Sequence, residues 1–411
     1  MIVFVLITLT IFNSTNFNTG SSLFRNPVTA IGFDAVINNP ANLGLMQSPK
    51  YSLRLLTFEG SFVNTLLNLE LYNKYFGTDS AIGNELKREF FSQVPEFGIQ
   101  ADGDLHLGAL DFSYQKFGFA FRRVYLGAVR MPRELIDLIL FGNELYRTYH
   151  LNNFSFDYMI YNSFNFAFAL PVIQRKDRLG TIGIGLKFLL GEKAQITKQA
   201  LGNFYSNEYF MDGKIDWIRT TASGGYGLGV DLGGTYDIGR YRFGLAILNC
   251  SPGIIWAKNL KTRQMLIMID SFSVYRAVKT KSLDSVFKKQ DTVFVIKSFR
   301  TLIPIYLTLG AGWKFDNSGS ILSLVYEQNL VTTKFSTFVP KFSLDLKWNL
   351  LQAVIINPNI AIGGREGIAF ALGLSKNIKR LLISVGLECM KSLSITKARG
   401  LKFGLSLGVI P

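Results

Sequence analysis

The chain has 411 residues, too long for one ordinary globular core and a fair length for one large barrel. Only 18% of residues are charged, Gly (38), Phe (35) and Tyr (17) are abundant, and mean hydropathy is positive; yet no stretch after the N-terminus runs to about 18 consecutive apolar residues, which argues against spanning helices. The net charge of +15 invites a nucleic-acid reading, but the cations are not gathered on a helix or beside stacking aromatics. They fall in turns (Arg175, Lys176, Arg178), in a long loop (Lys258, Lys261, Arg263, Arg276, Lys279, Lys281, Lys288, Lys289) and singly on strands. We therefore expect no nucleic-acid partner, and cationic loops that meet membrane lipid, including lipopolysaccharide phosphates.

Residues 1–12 are a continuous apolar run followed by the polar stretch from Asn13 to Ser22. This is the form of a secretory signal, taken as residues 1–20 with cleavage within 14–22. Residues 21–49 are rich in turn formers, with Asn26-Pro27 and Asn38-Asn39-Pro40-Ala41-Asn42-Leu43-Gly44. They read as a compact N-terminal hatch segment ahead of a barrel over 50–411.

From Tyr51 onward the dominant period is two. In Tyr226–Tyr236, Tyr226, Leu228, Val230, Leu232 and Tyr236 share one parity, while Gly227, Gly229, Asp231, Gly233 and Thr235 share the other. Ten residues tilted about 40° rise roughly 25 Å, the height of the apolar band of an outer-membrane barrel. Phe156, Tyr158, Phe164, Phe166 and Phe168 are expected to face lipid, with Asp157, Ser163 and Asn165 inside. Helices are expected over 79–92, with Asp79 as cap, and over Pro132–Tyr146. Residues 62–72, 191–222 and 251–299 read as irregular or loop.

The pattern predicts an all-β fold, a closed antiparallel transmembrane β-barrel of about 14 strands with short helices in external loops. Short turns at 115–116, 174–178, 237–240, 316–319, 349–350 and 376–380 follow even-numbered strands, and long connections follow odd-numbered ones. Short periplasmic turns opposite long external loops is the asymmetry of outer-membrane barrels, so the bacterial outer membrane is the expected location. Asp157, Lys187, Asp231, Arg242, Asp345 and Lys347 lie on the inward parity. Mixed signs there predict a paired, partly dry lumen, with Asp231 and Asp345 within reach of Arg242, Lys187 or Lys347.

Nothing in the sequence assembles catalysis or a metal site. His106 and His150 lack ligand spacing, no Gly-x-Ser-x-Gly elbow is present, and Asp102-Gly103-Asp104 lacks the later ligands of a calcium loop. No enzyme activity and no cofactor are expected. Cys250 and Cys389 read as lone apolar cysteines.

The segment Asn38-Asn39-Pro40-Ala41-Asn42-Leu43-Gly44 resembles the Asn-Pro-Ala hatch signature of the long-chain fatty-acid transporter superfamily. Phe141-Gly-Asn143, Lys187-Phe-Leu-Leu-Gly191, Gly229–Tyr236 and Ile254–Lys258 resemble uncharacterised outer-membrane proteins related to the type IX secretion shuttle barrels. The resemblance implies a 14-stranded barrel with a lumenal hatch, and one of two functions. One is binding or passage of hydrophobic small molecules through the plugged lumen. The other is a non-transporting scaffold or carrier for a secreted or surface protein partner.

Overall fold

The computed structural model describes residues 25–77, 83–272, 287–315, 319–350, 354–378 and 380–409. The expected signal segment, Asp79, Arg276, Lys279, Lys281 and the turn residues 316–318 lie outside them. The strands are β1 (Tyr51–Asn64), β2 (Ile99–Tyr114), β3 (Phe117–Met131), β4 (Thr148–His150), β5 (Ser155–Arg175), β6 (Arg178–Ser206), β7 (Met211–Ile238), β8 (Tyr241–Cys250) and β9 (Ile254–Phe272). They continue with β10 (Phe287–Val295), β11 (Phe299–Thr301), β12 (Tyr306–Lys314), β13 (Ile321–Asn329), β14 (Lys341–Leu350), β15 (Val354–Gly363), β16 (Gly367–Ile378), β17 (Leu381–Met390) and β18 (Gly400–Val409).

Antiparallel pairing runs from β1 through β2, β3, β5, β6, β7 and β8 to β12, then in order to β18. β18 pairs back onto β1, with Ser61 opposite Lys402. The ring is a closed transmembrane barrel of 14 strands, which leaves no edge inside the hydrocarbon.

Burial alternates as the period-two reading requires. Phe156 and Phe166 are exposed on the outer wall, whereas Asp157, Ser163 and Asn165 are buried inside. Outward aromatics stack between β3 and β5, with ring centroids 4.7 Å apart for Phe117–Phe168 and 5.1 Å for both Phe119–Phe166 and Phe121–Phe164.

The long connections differ from expectation. β6 and β7 run 29 and 28 residues, so 191–222 is mostly a hairpin rising beyond the barrel. Within 251–299, β9 pairs with β7 and β10 with β9, while residues 273–286 lie outside the described residues. Here both faces carry polar residues, and the alternation that marks a membrane strand is lost. β14 likewise continues through Leu350, where a turn was expected. The helix expected over Pro132–Tyr146 is shorter, Arg133–Phe141, and ends at Gly142 with φ 78°. The helix expected over 79–92 is described as Asn84–Ser92. Within 62–72, β1 ends at Asn64 and a helix, Leu69–Phe76, starts where Asn68 accepts a hydrogen bond from the Leu71 N–H at 2.8 Å.

Two bodies fill the interior. Residues 25–49 fold as tight turns and a short helix, with Val28, Phe33, Val36, Ala41 and Leu43 buried. At the external end, Ile254, Trp256, Phe299, Ile303 and Phe335 fold inward and pack with Met159, Leu189 and Ile196 from the wall.

Candidate functional site

Between these two bodies lies a cavity of about 260 Å³, walled by residues of β1–β3, β5, β6, β8, β12–β15 and β18. Its floor is the inner segment (Arg25, Ile37, Asn38), and its rim includes the β15–β16 turn at Gly364–Glu366.

The floor is seated by the two asparagines of Asn39-Pro-Ala-Asn42. Asn39 Nδ2 donates to Pro27 O (2.9 Å) and to Thr235 Oγ1 on β7 (3.0 Å). Asn42 Nδ2 donates to Ala30 O (2.7 Å) and Pro27 O (3.0 Å), and Thr235 Oγ1 donates to Asn42 Oδ1 at 2.5 Å. Pro40 opens the following turn, where its missing N–H costs no hydrogen bond. Gly44 backs onto Thr181 of β6.

Three of the six inward charges singled out in the sequence touch this segment. Arg242 donates to Val28 O (3.2 Å) and Gln47 Oε1 (2.8 Å), while pairing with Asp237 at 2.6 Å. Asp345 accepts from Asn26 Nδ2 at 2.6 Å, and Lys347 Nζ lies 3.5 Å from Thr29 O. The other three do not. Lys187 pairs with Asp231 at 2.8 Å, as expected, and Asp157 accepts from the Thr197 N–H at 2.5 Å. Asp345 accepts from the Asn26 and Asn357 amides, and the expected cation Lys347 is in electrostatic contact with it. Arg242 serves the acid of its own hairpin, because Asp237 lies opposite it in the β7–β8 register.

The sequence reading missed the strongest tie. Arg54 of β1 is 1% exposed and contacts Asp34 of the inner segment (Nη1 to Oδ1, 2.7 Å) and Asp111 of β2 (Nε to Oδ2, 2.7 Å). Arg122 contacts the other Asp111 oxygen at 2.5 Å. Burial pushes the Asp34 carboxyl up to about 6, against the pull of the Arg54 guanidinium. The available signal was the alternation in Leu53-Arg54-Leu55 and Leu110-Asp111-Phe112, which puts one charge between apolar residues on adjacent strands.

Above the floor, register aligns Glu388, Lys402, Ser61 and Asp104 across β17, β18, β1 and β2. Arg365 reaches in from the rim to Asp104, and donates to Ser61 Oγ at 2.6 Å. Lys341 lies 3.7 Å from Glu388 and 3.9 Å from Glu366, and Arg25 lies 3.2 Å from Glu327. Apolar side chains are interleaved with these charges: Leu126 and Val124 of β3 stand directly beside Asp104 and His106 of β2, and Tyr161 and Leu248 line the same cavity with Ser163, Lys187 and Asn249. His106 Nε2 is 3.4 Å from Asp104 Oδ2, and Ser61 also bonds to Asp104. The carboxylate therefore stands between hydroxyl and imidazole. A nucleophilic triad needs the imidazole in the middle, so this trio does not activate Ser61.

A profile of the "Family of unknown function (DUF5723)" matches residues 193–386. No curated protein sequence matches the chain. The fold is similar to that of the Ralstonia pickettii toluene transporter TbuX, with TM-score 0.51 and 13% identity over 96% of this chain and 99% of that one. A Pseudomonas aeruginosa FadL homologue aligns with TM-score 0.48 and 11% identity over 95% and 96% of the two chains. The Pseudomonas putida toluene transporter TodX aligns with TM-score 0.47 and 10% identity over 96% and 99%. At these identities the likeness to TbuX establishes a shared barrel fold.

Proposed function

We propose that the protein is a bacterial outer-membrane uptake barrel in which residues 25–49 act as a hatch. A small amphipathic molecule enters the cavity and leaves only when that segment moves. TbuX and TodX are named as toluene transporters, but the cavity here is not uniformly apolar. Its lining sets ion pairs such as Arg365–Asp104 and Lys341–Glu388 among apolar side chains that include Val124, Leu126 and Tyr161. A molecule with an apolar body and a polar head satisfies both kinds of lining, because burying the head against ion pairs avoids leaving a polar group unpaired. The observation that carries the reading is the cavity's floor, which is the inner segment and not the barrel wall.

The test is a reversible lock. An ideal Cβ on Gly44 lies 3.4 Å from Thr181 Cβ, close to disulfide spacing. Gly44→Cys with Thr181→Cys, in a background with Cys250 and Cys389 replaced by Ala, should bind a fluorescent medium-chain amphiphile whether oxidised or reduced. Transfer into proteoliposomes should stop on oxidation and resume on reduction. Transfer that continues through the locked protein would refute the hatch.

One observation favours the scaffold alternative. The external half of the lumen is filled by Trp256, Phe299 and Phe335, which narrows any route. On that reading the locked and unlocked proteins bind no amphiphile at all.

A further inference from the structure

The outward face of β6, β7 and β9 changes chemistry within one row. Leu190, Tyr226 and Ile255 stand opposite one another across the three strands, and all are exposed. They form the top of the apolar belt on this side. The next outward row is Lys193, Ser223 and Lys258, and the one after it carries Thr221 and Lys261 beside a buried Gln195. Lys193, Lys258 and Lys261 are all exposed. Strands are spaced about 4.8 Å apart, so the lysines of β6 and β9 flank the hydroxyls of β7 with roughly 10 Å between the two columns.

The nearby acids are already committed. Glu192 accepts from Arg123 at 2.5 Å and from Asn162 at 2.7 Å, and Asp291 takes Arg263 Nε at 2.6 Å. Among the described residues none of the three lysines has an acidic partner. Arg219, one row further out, lies 4.6 Å over the Trp217 ring and donates to Gln195 Oε1 at 3.4 Å. This holds a fourth cation over the same patch. Like charges packed this way repel unless an anion is shared among them.

We propose that this comb of Lys193, Lys258 and Lys261, with Ser223 and Thr221 between them, binds the phosphates of a phosphorylated glycolipid in the outer leaflet. The acyl chains would lie on Leu190, Tyr226 and Ile255 directly below. The argument for a lipid over a soluble polyanion is position: the cations begin one row above the belt and face away from the lumen. A headgroup phosphate is held there by the membrane itself. Cations at such a surface each favour anionic lipid.

The experiment uses the full chain folded in detergent, with diphosphoryl lipid A and the same lipid stripped of phosphate as probes, read by native mass spectrometry. The wild type should favour the phosphorylated form by about tenfold or more at about 50 mM salt, with the preference shrinking as salt rises. Replacing Lys193, Lys258 and Lys261 with Gln should abolish the preference, and replacing all three with Arg should retain it. Replacing Arg175, Lys176 and Arg178 with Gln removes equal charge from the opposite rim and should leave it intact. Heat-modifiable gel mobility checks folding, and the Arg variant tests the site if the Gln variant fails to fold. An unchanged preference in the Gln variant would overturn the proposal. So would an equal loss in the opposite-rim control, or displacement of the lipid by inorganic phosphate at matched phosphate concentration.

Discussion

A Cβ built on Gly183 of β6 would stand 2.3 Å from the backbone nitrogen of Ala41, inside the inner segment. A Cβ on Gly233 of β7 would stand 2.2 Å from Asn39 Oδ1. The wall is therefore cut back to bare backbone where Asn39-Pro-Ala docks. Gly183→Ala should unseat residues 39–44 without opening the barrel, since the obstacle is backbone that cannot rotate away. Overpacking of this kind costs about 1–3 kcal/mol. Hydrogen exchange over 33–45 should rise while the wall strands stay protected; unchanged exchange would show the segment has slack.

Arg54→Ala should be costly because it strands Asp34 and Asp111 in the interior. Breaking a buried pair by removing one partner costs about 3–5 kcal/mol. Adding Asp34→Asn should recover part of that loss, since Asp111 keeps Arg122 at 2.5 Å. Guanidinium midpoints of the two single variants and the double variant close the cycle. Strict additivity would mean that Arg54 and Asp34 do not interact in solution.

The Asp34 carboxyl also sets a pH dependence. Burial raises it from 3.8 to about 6 in the folded protein, above its unfolded value. Its ionised form then opposes seating above pH 6, and this penalty fades as pH falls through 6. A fluorophore on Met46→Cys, a position 88% exposed, should report release of the segment at a higher urea concentration at about pH 5.5 than at 7.5. Asp34→Asn should flatten the difference. A midpoint that falls on acidification would reverse the sign assigned to Asp34.

How far the sequence could be read follows from what surrounds each strand. Tyr226–Tyr236 was legible because lipid outside and packed chain inside force opposite demands on alternate residues. The inward glycines were legible too, as room for chain inside the barrel. The β9–β10 ribbon was not, since Lys258, Lys261 and Arg263 follow one another on β9 with no apolar period to betray a strand. Nor was the Arg54–Asp34 contact. Its partners lie in different elements, and only closure of the barrel brings β1 over the inner segment. Arg242 was rightly placed inside, but its Asp237 partner was not foreseen, because parity fixes a face and says nothing about which neighbour reaches across it.

The lumen should not conduct like an open pore. Lys187 and Asp231 meet at 2.8 Å with side chains 8% and 1% exposed, so ions are not hydrated separately there. Planar bilayers should show no steady porin-like current from the full chain, and deletion of residues 25–49 should raise conductance. A large steady current from the intact protein would contradict the packed interior.

The outer wall offers the last test, because a membrane imposes a depth profile that water does not. Leu232 sits mid-way along the apolar band of β7 and is 45% exposed, while Tyr226 at its upper end is 59% exposed. Both point outward, and the adjacent Asp231 is buried in the lumen. Arginine at the bilayer midplane costs about 2–4 kcal/mol and near the interface about 0–1 kcal/mol, since the long side chain reaches the headgroups only from the end position. Leu232→Arg should thus lower the guanidinium midpoint in phospholipid vesicles far more than Tyr226→Arg, even though the tyrosine is the larger group removed. In detergent micelles, where the apolar layer is thin and deformable, the gap between the two should narrow. Equal penalties at both sites in vesicles would mean that this face does not span a bilayer.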